Sequence, residues 1–364
     1  MYPRLLAEPL RLGTSFFLFG PRGTGKTTWI KNQLPGAVYL DLLDSALYTE
    51  LLAHPERLRN FIPPRDNPWV VIEERKTLFV LPSSSARSLR RKGTNLLAGR
   101  ALTFRMHPLT WRELSTDAEL ATSLSSGHLP AALAAPDPRA FLKSYVQAYL
   151  REEVQQEGFA RSIGAFSRFL EAASFSQASL LNVAEAAREC AAKRKTVSGY
   201  FQGLEDLLLA STVPVFRRRA RRRLAAHSKF YYFDVGVYRA LRPAGPLDRP
   251  EQIEGACLES LVYQEIRALN DYLGFAYELF FWRTATGAEA DLAGMSLFRS
   301  DYPSARCVVL YGGERRQYQE GIELIPLKEG LQDLAEMLRD PSPSRWPGGI
   351  MGQRWKGFLG ISPP

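Results

Sequence analysis

The chain has 364 residues, 45% hydrophobic and 23% charged, which is typical of a folded protein with more than one core. Its formal net charge of +9 favours a polyanionic partner, nucleic acid before membrane. Three distant cysteines and four scattered histidines exclude a disulfide framework and the common zinc patterns. With no signal peptide and no apolar run of about 18 residues, the sequence predicts a cytoplasmic protein without a membrane span.

The strongest motif lies in residues 16–30, FFLFGPRGTGKTTWI. An apolar strand, a match to G-x-x-x-x-G-K-[ST] and a helix start follow one another, which is the setting that a phosphate-binding loop requires. In such a loop backbone N–H groups converge on an anion at a helix N-terminus. The alternative is a glycine-rich turn that matches by chance. The predicted ligands are ATP and Mg²⁺, with Lys26 on the β- and γ-phosphates and Thr27 on the metal. The predicted nucleotide-binding residues are Gly20, Pro21, Arg22, Gly23, Thr24, Gly25, Lys26, Thr27 and Thr28.

Two further buried strands are predicted at residues 37–41 and 69–72. Glu73 and Glu74 follow the second one, where a P-loop ATPase carries its acidic pair, so Glu73 is a candidate Mg²⁺ ligand and Glu74 a candidate catalytic base. A charged turn is the alternative. The next apolar stretch, 77–81, starts only four residues past Glu73. Because parallel neighbours need a dozen or more connecting residues, the two strands form a hairpin, fuse, or have lost a crossover helix, and we favour the loss.

The chain resembles a widespread family of prokaryotic AAA-type ATP-binding proteins on FLFGPRGTGKTT, PWVVI and SSSARSLRRKGTNLLAGRALTFRMHPLTWREL. In that family the third strand ends in an Asp-Glu pair, a helix follows, and the next strand ends in a Thr-Gly-Ser-Ser-like turn. This chain departs at both places, since Glu73 and Glu74 match the end of the missing helix, and Pro82 and Ser83 stand at the usual Thr-Gly. On this alignment ATP binding persists, and hydrolysis is expected to be weak or absent.

Arg100 falls at the Gly-Arg position of that family. An arginine there is a candidate catalytic residue, because it can stabilise γ-phosphate charge within the molecule or across the contact of a homo-oligomer. A surface arginine that caps a turn is the alternative.

The middle of the chain predicts a helical lid or bridge, with helices at residues 137–157 and 166–175. A helix-turn-helix pattern follows at 182–190 and 195–210, and strands at 213–216 and 229–233 predict the wing of a winged helix. A nucleic-acid interface and a protein–protein or inter-domain module are both compatible with this pattern. The predicted nucleic-acid-binding residues, for DNA or RNA, are Lys193, Arg194, Lys195, Arg217, Arg218, Arg219, Arg221, Arg222 and Arg223.

The C-terminal part carries an apolar-periodic helix at residues 254–269 and the run FFWRTATGAEADL. This run resembles the C-terminal domain of the same family, which is similar to a restriction endonuclease. That resemblance assigns Asp291 and one of Glu259 or Glu265 to a metal site, but the required Glu-x-Lys does not occur in this part of the sequence. We therefore predict no nuclease activity.

The predicted fold class is α/β, with an AAA-type parallel P-loop sheet, a helical and winged-helix middle, and a small nuclease-like domain. The predicted segments are a P-loop domain (1–115), a helical bridge (116–175), a winged helix (176–245), a nuclease-like domain (246–340) and a flexible tail (341–364). The predicted function is ATP binding, with weak or no hydrolysis, coupled to a basic winged-helix module. The alternatives are a nucleic-acid-binding protein with a vestigial P-loop and an active ATPase that uses Glu73 and Glu74.

Overall fold

The chain folds as a mixed α/β protein with several small sheets. The computed structural model describes residues 2–12, 16–42, 44–61, 69–73, 81–83, 102–114, 118–149, 163–216, 228–243, 245, 248–282, 292–339 and 357–358. Across these ranges, none of the helices combines the length and apolar character needed to span a bilayer.

The described residues form α-helices of four to 23 residues and strands of two to five residues. The α-helices are α1 (Glu8–Arg11), α2 (Lys26–Gln33), α3 (Ser45–Ala53), α4 (Leu120–Ser126), α5 (Pro130–Leu133), α6 (Pro138–Ser144), α7 (Ile163–Ser174), α8 (Val183–Glu189), α9 (Arg194–Asp206), α10 (Val235–Leu241), α11 (Pro250–Tyr272), α12 (Leu292–Asp301) and α13 (Leu327–Arg339). Two 3₁₀-helices (Pro55–Phe61, Trp111–Glu113) and a π-helix (Tyr145–Tyr149) accompany them. The strands are β1 (Phe16–Phe19), β2 (Val38–Asp41), β3 (Val70–Glu73), β4 (Leu81–Ser83), β5 (Leu102–Arg105), β6 (Ser179–Leu180), β7 (Ala210–Val213), β8 (Lys229–Tyr232), β9 (Leu279–Phe280), β10 (Val308–Tyr311), β11 (Gln317–Gln319), β12 (Ile322–Pro326) and β13 (Gly357–Phe358).

The N-terminal strands form two parallel groups. The buried strand β1 lies between β4 and β5 and is parallel to both, while β2 pairs with β3. Strand β4 shares only Leu81 with the predicted strand at 77–81, and it includes Pro82 and Ser83, which the family resemblance assigned to a polar turn. Residues 77–80 lie outside the described ranges. Since β3 and β4 pair with different strands, the described residues form neither the hairpin nor the fused strand, and the lost helix remains a prediction.

The middle of the chain places α7, β6, α8, α9, β7 and β8 in sequence, with β8 between β6 and β7 in an antiparallel sheet. The predicted second helix extends too far, because α9 ends at Asp206 and Ala210 already belongs to β7. The reason is a sharp turn at Leu208, which has φ +62° and lies just past Leu207, the C-cap of the helix. The predicted strand at 213–216 is therefore wrong in position, whereas the strand at β8 is confirmed.

The C-terminal part contains a small sheet in which β12 lies between β10 and β11. The helix predicted at 254–269 is longer than expected, since α11 runs from Pro250 to Tyr272. Within the predicted tail, β13 pairs in parallel with β9, and the remainder of residues 341–364 lies outside the described ranges.

Helix α11 joins the hydrophobic clusters of the molecule. Ala268 and Tyr272 pack with Phe16, Leu18 and buried residues of α2, the helix that follows the glycine-rich loop. Cys257 and Leu261 belong to the large cluster that contains α7 and α9, and Leu269 packs on α13. The N-terminal sheet therefore shares its core with a helix from the C-terminal part of the chain.

Candidate phosphate site and basic helix surface

The phosphate loop leaves the C-terminal end of β1 at a position of very close backbone contact. Phe19 O accepts a hydrogen bond from Met106 N at 2.7 Å. A Cβ atom at Gly20 would lie only 2.3 Å from Met106 O, so a larger residue would force the two chain segments apart. Gly23 and Gly25 have φ values of +84° and +88°, which L-residues with a side chain rarely adopt. The glycines therefore allow the tight curl that the motif predicts.

The side chains of the loop bind its own carbonyl groups. Lys26 opens α2 and is buried, and its Nζ donates to Gly20 O at 2.5 Å and to Pro21 O at 3.0 Å. Thr24, fully buried, donates from Oγ1 to Pro21 O at 2.9 Å. The ammonium group is therefore held inside the curl of the loop, next to the N-terminus of α2, where an anion is favoured by the helix dipole.

A helical segment from residues 118–149 covers the loop. Tyr145 Oη donates to Arg22 O at 3.0 Å. A Cβ placed on Gly23 would lie 3.7 Å from Leu129 Cδ2 and 3.8 Å from Tyr145 Cε2, and one on Gly25 would lie 3.8 Å from Pro130 Cγ. Leu129, Pro130 and Tyr145 therefore lie close to the two glycines that shape the loop.

The covering segment is anchored on its other side to Asp234, which follows β8. His128 N donates to Asp234 Oδ2 at 2.8 Å, and Asp234 Oδ1 accepts from Val237 N and caps α10. Burial raises the pKa of Asp234, while the backbone N–H of His128 acts in the opposite direction. Residues 118–149 therefore contact both the glycine-rich loop and Asp234, which follows strand β8 of the β6–β8–β7 sheet.

The remaining nucleotide-site candidates lie in α2, at the end of β3 and outside the described ranges. Thr27 and Thr28 lie in the first turn of α2, half-buried and exposed, respectively. Glu73 is the last residue of β3, opposite Asp41 of β2, and only its backbone is described. The candidate catalytic residues Glu74 and Arg100 lie outside the described ranges.

The predicted nucleic-acid residues at the helix-turn-helix lie on one exposed surface. Lys193 is the N-cap of α9, and Arg194 and Lys195 begin the helix. All three are exposed, as are Ser198 and Gln202 farther along α9. An open groove adjoins them, lined by Asn182, Ala184, Ala187, Arg188, Ala191, Ala192, Lys193 and Arg194. The arginine run at 217–223 lies outside the described ranges, between β7 and β8 in the chain.

The two glutamates suggested by the nuclease resemblance are engaged in other contacts. Glu265 is buried and its Oε1 accepts from Trp111 N at 2.8 Å, with His128 Nδ1 at 3.4 Å. Glu259 Oε1 accepts from Lys229 Nζ at 3.0 Å and from Tyr231 Oη at 2.5 Å. Asp291 lies outside the described ranges. No group of three or more His, Cys, Asp or Glu residues suited to a metal ion occurs among the described side chains.

A buried polar cluster links the segment after β5 to α11. His107 Nε2 lies 2.7 Å from Asp271 Oδ2, and His107 N donates to Tyr272 Oη at 2.8 Å. Arg4 Nη2 donates to both His107 O and Tyr272 Oη at 2.7 Å. These hydrogen bonds connect His107, which lies between β5 and residues 118–149, to α11.

Comparison with known proteins yields one family match. A family model described as "Domain of unknown function (DUF8612)" matches residues 117–248, which run from the covering segment to α10. No curated protein and no solved structure matches the chain. The matched region contains both Tyr145 and the α8–α9 surface, but it does not include the phosphate loop.

Sequence reasoning did not identify Leu129, Pro130 or Tyr145 as neighbours of the loop. Tyr145 and Arg22 are 123 positions apart. No local pattern reports a contact over that separation, although the sequence predicts a bridge in this stretch.

Proposed function

We propose that this chain is an ATP-binding, AAA-type P-loop protein with weak or no hydrolysis, coupled to a winged-helix module. The observation that carries the proposal is the loop itself, in which a buried lysine opens α2 directly after two glycines with positive φ. Phosphate oxygens of ATP would replace the carbonyls of Gly20 and Pro21 as partners of Lys26. Backbone N–H groups of residues 23–27 would supply the remaining contacts.

Strand pairing supports the finer fold of this proposal. The strand that leads into the loop has parallel partners on both sides, and β3 lies next to β4. If β3 and β4 join, β2, β3, β4, β1 and β5 make a single parallel sheet whose carboxyl ends share one edge with the loop. The winged helix is likewise supported by the order of its elements, which is α7, β6, α8, α9, β7, β8. We assign the small β10–β12–β11 sheet to the nuclease-like domain.

Only part of a Mg²⁺ site can be assigned from the described residues. Thr27, in the first turn of α2, fits the hydroxyl ligand of a phosphate-bound metal. Glu73 ends β3 beside Asp41, and either carboxylate is a candidate partner at that edge. Bound Mg²⁺ would neutralise phosphate charge, whereas Lys26 and the loop N–H groups orient the phosphates. Weak hydrolysis follows from the alignment in which the catalytic acids are missing.

Nucleotide binding is tested by titrating fluorescently labelled ATP against the wild type and Lys26→Ala. Removing the ammonium should weaken binding at least about 100-fold, because the substitution deletes a charge-assisted hydrogen bond to phosphate inside a buried loop. Lys31→Ala is the matched control, since Lys31 is an exposed lysine in the last turn of the same helix and should bind like the wild type. Equal binding by the wild type and Lys26→Ala would reject the proposal.

Measuring phosphate release by the same proteins distinguishes a protein that binds ATP with little hydrolysis from an active ATPase. The proposal expects little turnover above background. Turnover that depends on Lys26 and disappears in Glu74→Gln would instead support the active ATPase.

A second candidate function, binding of DNA or RNA, is favoured by the exposed surface of α9. Arg194, Lys195, Ser198 and Gln202 place basic and hydrogen-bonding side chains along one face of a helix. Such a face can contact phosphates at its basic end and base edges farther along. The six arginines between β7 and β8 add charge for further phosphate contacts.

Salt-dependent binding to labelled duplex DNA, measured with and without ATP, tests this candidate. Arg194→Ala combined with Lys195→Ala should weaken binding and reduce the salt slope by about 0.9 for every phosphate that the variant no longer neutralises. Neutralising the six arginines should have a larger effect of the same kind. Lys328→Ala, an exposed lysine on α13, is the control. Binding that is unchanged in both charge variants would reject the nucleic-acid function.

A further inference from the structure

Tyr145 approaches the phosphate loop from outside the motif. Its hydroxyl donates to Arg22 O at 3.0 Å. The ring is 6% exposed and stacks on Phe141, with ring centroids 6.2 Å apart and an interplanar angle of 28°. It is the first residue of the π-helix Tyr145–Tyr149. Such helices are rare in proteins overall, and those that occur are often at functional sites. Packing therefore holds the phenol while its hydroxyl is directed at one loop carbonyl.

The carbonyl that Tyr145 binds belongs to the peptide between Arg22 and Gly23. In a planar trans peptide the C=O and N–H groups point in opposite directions. A hydrogen bond that fixes Arg22 O toward Tyr145 therefore turns the N–H of Gly23 away from Tyr145. Gly23 has φ +84° and no Cβ, so its own backbone preference does not fix this peptide. The hydrogen bond from Tyr145 restrains this orientation.

We infer that Tyr145 is a positioning residue of the nucleotide site, orienting the Gly23 N–H toward the β-phosphate of a nucleoside di- or triphosphate. This inference rests on the nucleotide binding proposed above and names a residue that the motif does not contain. An anion held by successive N–H groups loses affinity when one of them is free to turn away. Tyr145 thus acts through the loop backbone and does not touch the ligand.

Tyr145→Phe removes the hydroxyl and keeps the ring that packs on Phe141 and Gly23. Labelled ATP should bind this variant about fivefold more weakly than the wild type, the equivalent of one hydrogen bond. Unlabelled inorganic pyrophosphate, competing with the labelled ATP, should lose affinity by the same factor, because the effect acts on the phosphates and not on the base.

Tyr39→Phe is the matched control. Tyr39 lies in the same region and donates from its hydroxyl to Leu34 O at 2.9 Å, a bond of the same type away from the loop. This variant should bind ATP and pyrophosphate like the wild type, and thermal unfolding of both variants should show comparable stability.

The outcomes separate this inference from the proposal on which it rests. If Lys26→Ala abolishes ATP binding and Tyr145→Phe binds like the wild type, the inference is overturned and nucleotide binding stands. Equal losses of affinity in Tyr145→Phe and Tyr39→Phe would also overturn it, since they indicate general destabilisation. If the wild type shows no Lys26-dependent binding, both fall together.

Discussion

Lys26 of the predicted phosphate loop and two glutamates of α11, Glu259 and Glu265, differ in where their hydrogen-bond partners lie in the sequence. Lys26 binds carbonyls that lie five and six positions earlier in the chain. Glu265 instead accepts from Trp111 N, 154 positions away, and Glu259 binds Lys229 and Tyr231, which lie 30 and 28 positions away. Lys26 is held by its neighbours in sequence, whereas Glu259 and Glu265 join separate parts of the fold.

This difference assigns opposite roles to the two sets of charged residues. A buried carboxylate that already accepts backbone and side-chain hydrogen bonds stabilises the fold, because its removal leaves those donors without an acceptor. Under the proposed function, Lys26 would exchange the loop carbonyls for phosphate oxygens. Substitutions in α11 should therefore change stability more than nucleotide affinity, and those in the loop should do the reverse.

The largest effect on stability is expected for Glu265→Ala. The substitution leaves Trp111 N without its buried acceptor and removes the carboxylate beside His128, so the free energy of unfolding should fall by about 3 kcal/mol. Urea unfolding followed by tryptophan fluorescence measures this change. Glu265→Gln retains an oxygen that can accept from Trp111 N and should lose about 1 kcal/mol.

Glu251→Ala is the control, because Glu251 is exposed in the first turn of the same helix and should change stability by no more than about 0.5 kcal/mol. The ATP affinity of folded Glu265→Gln should match the wild type. A stability loss no greater than that of Glu251→Ala would contradict the structural role of Glu265.

The elements that the sequence predicted best are those made from local patterns. β1, the glycine loop and the start of α2 follow from one apolar run and one motif, and the helices predicted from residues 137 and 182 begin at Pro138 and Val183. The end of α9 was misplaced because Leu208 takes a positive φ, which is unusual for leucine and cannot be recognised from the residue type. Pro82 and Ser83 were assigned to a turn through the family resemblance, whereas pairing with β1 places them in β4.

Long-range contacts around the candidate site could not be predicted in this way. The hydrogen bond from Tyr145 to Arg22 and the contact of Pro130 with Gly25 depend on how the bridge docks, and docking is determined by the whole core. The role of α11 as a shared core helix was also missed. Its apolar residues predicted a buried helix but could not specify which parts of the chain it buries.

A smaller effect, dependent on pH, is expected where His107 meets α11. Burial lowers the pKa of His107 below its ordinary 6.5, although the hydrogen bond to Asp271 opposes this shift. Burial acts to raise the pKa of Asp271, but the bond to His107 and the charges of Arg267 and Arg105 outweigh it, so that pKa lies below 3.8. Both groups therefore bind protons more weakly in the folded chain than in the unfolded chain.

The sign of the pH effect follows directly. Above about pH 6.5 the stabilising contribution of the pair is fully present, because His107 is neutral and Asp271 ionised in either state. As the pH falls below that value the unfolded chain takes up a proton first, so the free energy of unfolding should fall by at most about 1.4 kcal/mol per pH unit for that proton. Urea unfolding between about pH 7 and about pH 5 should show this slope.

His107→Gln should flatten the slope, since glutamine can donate to Asp271 but does not titrate. His54→Gln, at an exposed histidine beside Glu56, should retain the wild-type profile and serves as the control. Equal slopes in the wild type and His107→Gln would show that the link between the segment after β5 and α11 does not depend on the protonation of His107. A flattened slope with unchanged ATP affinity would place this pair with Glu259 and Glu265, among the groups that stabilise the fold and do not bind the ligand.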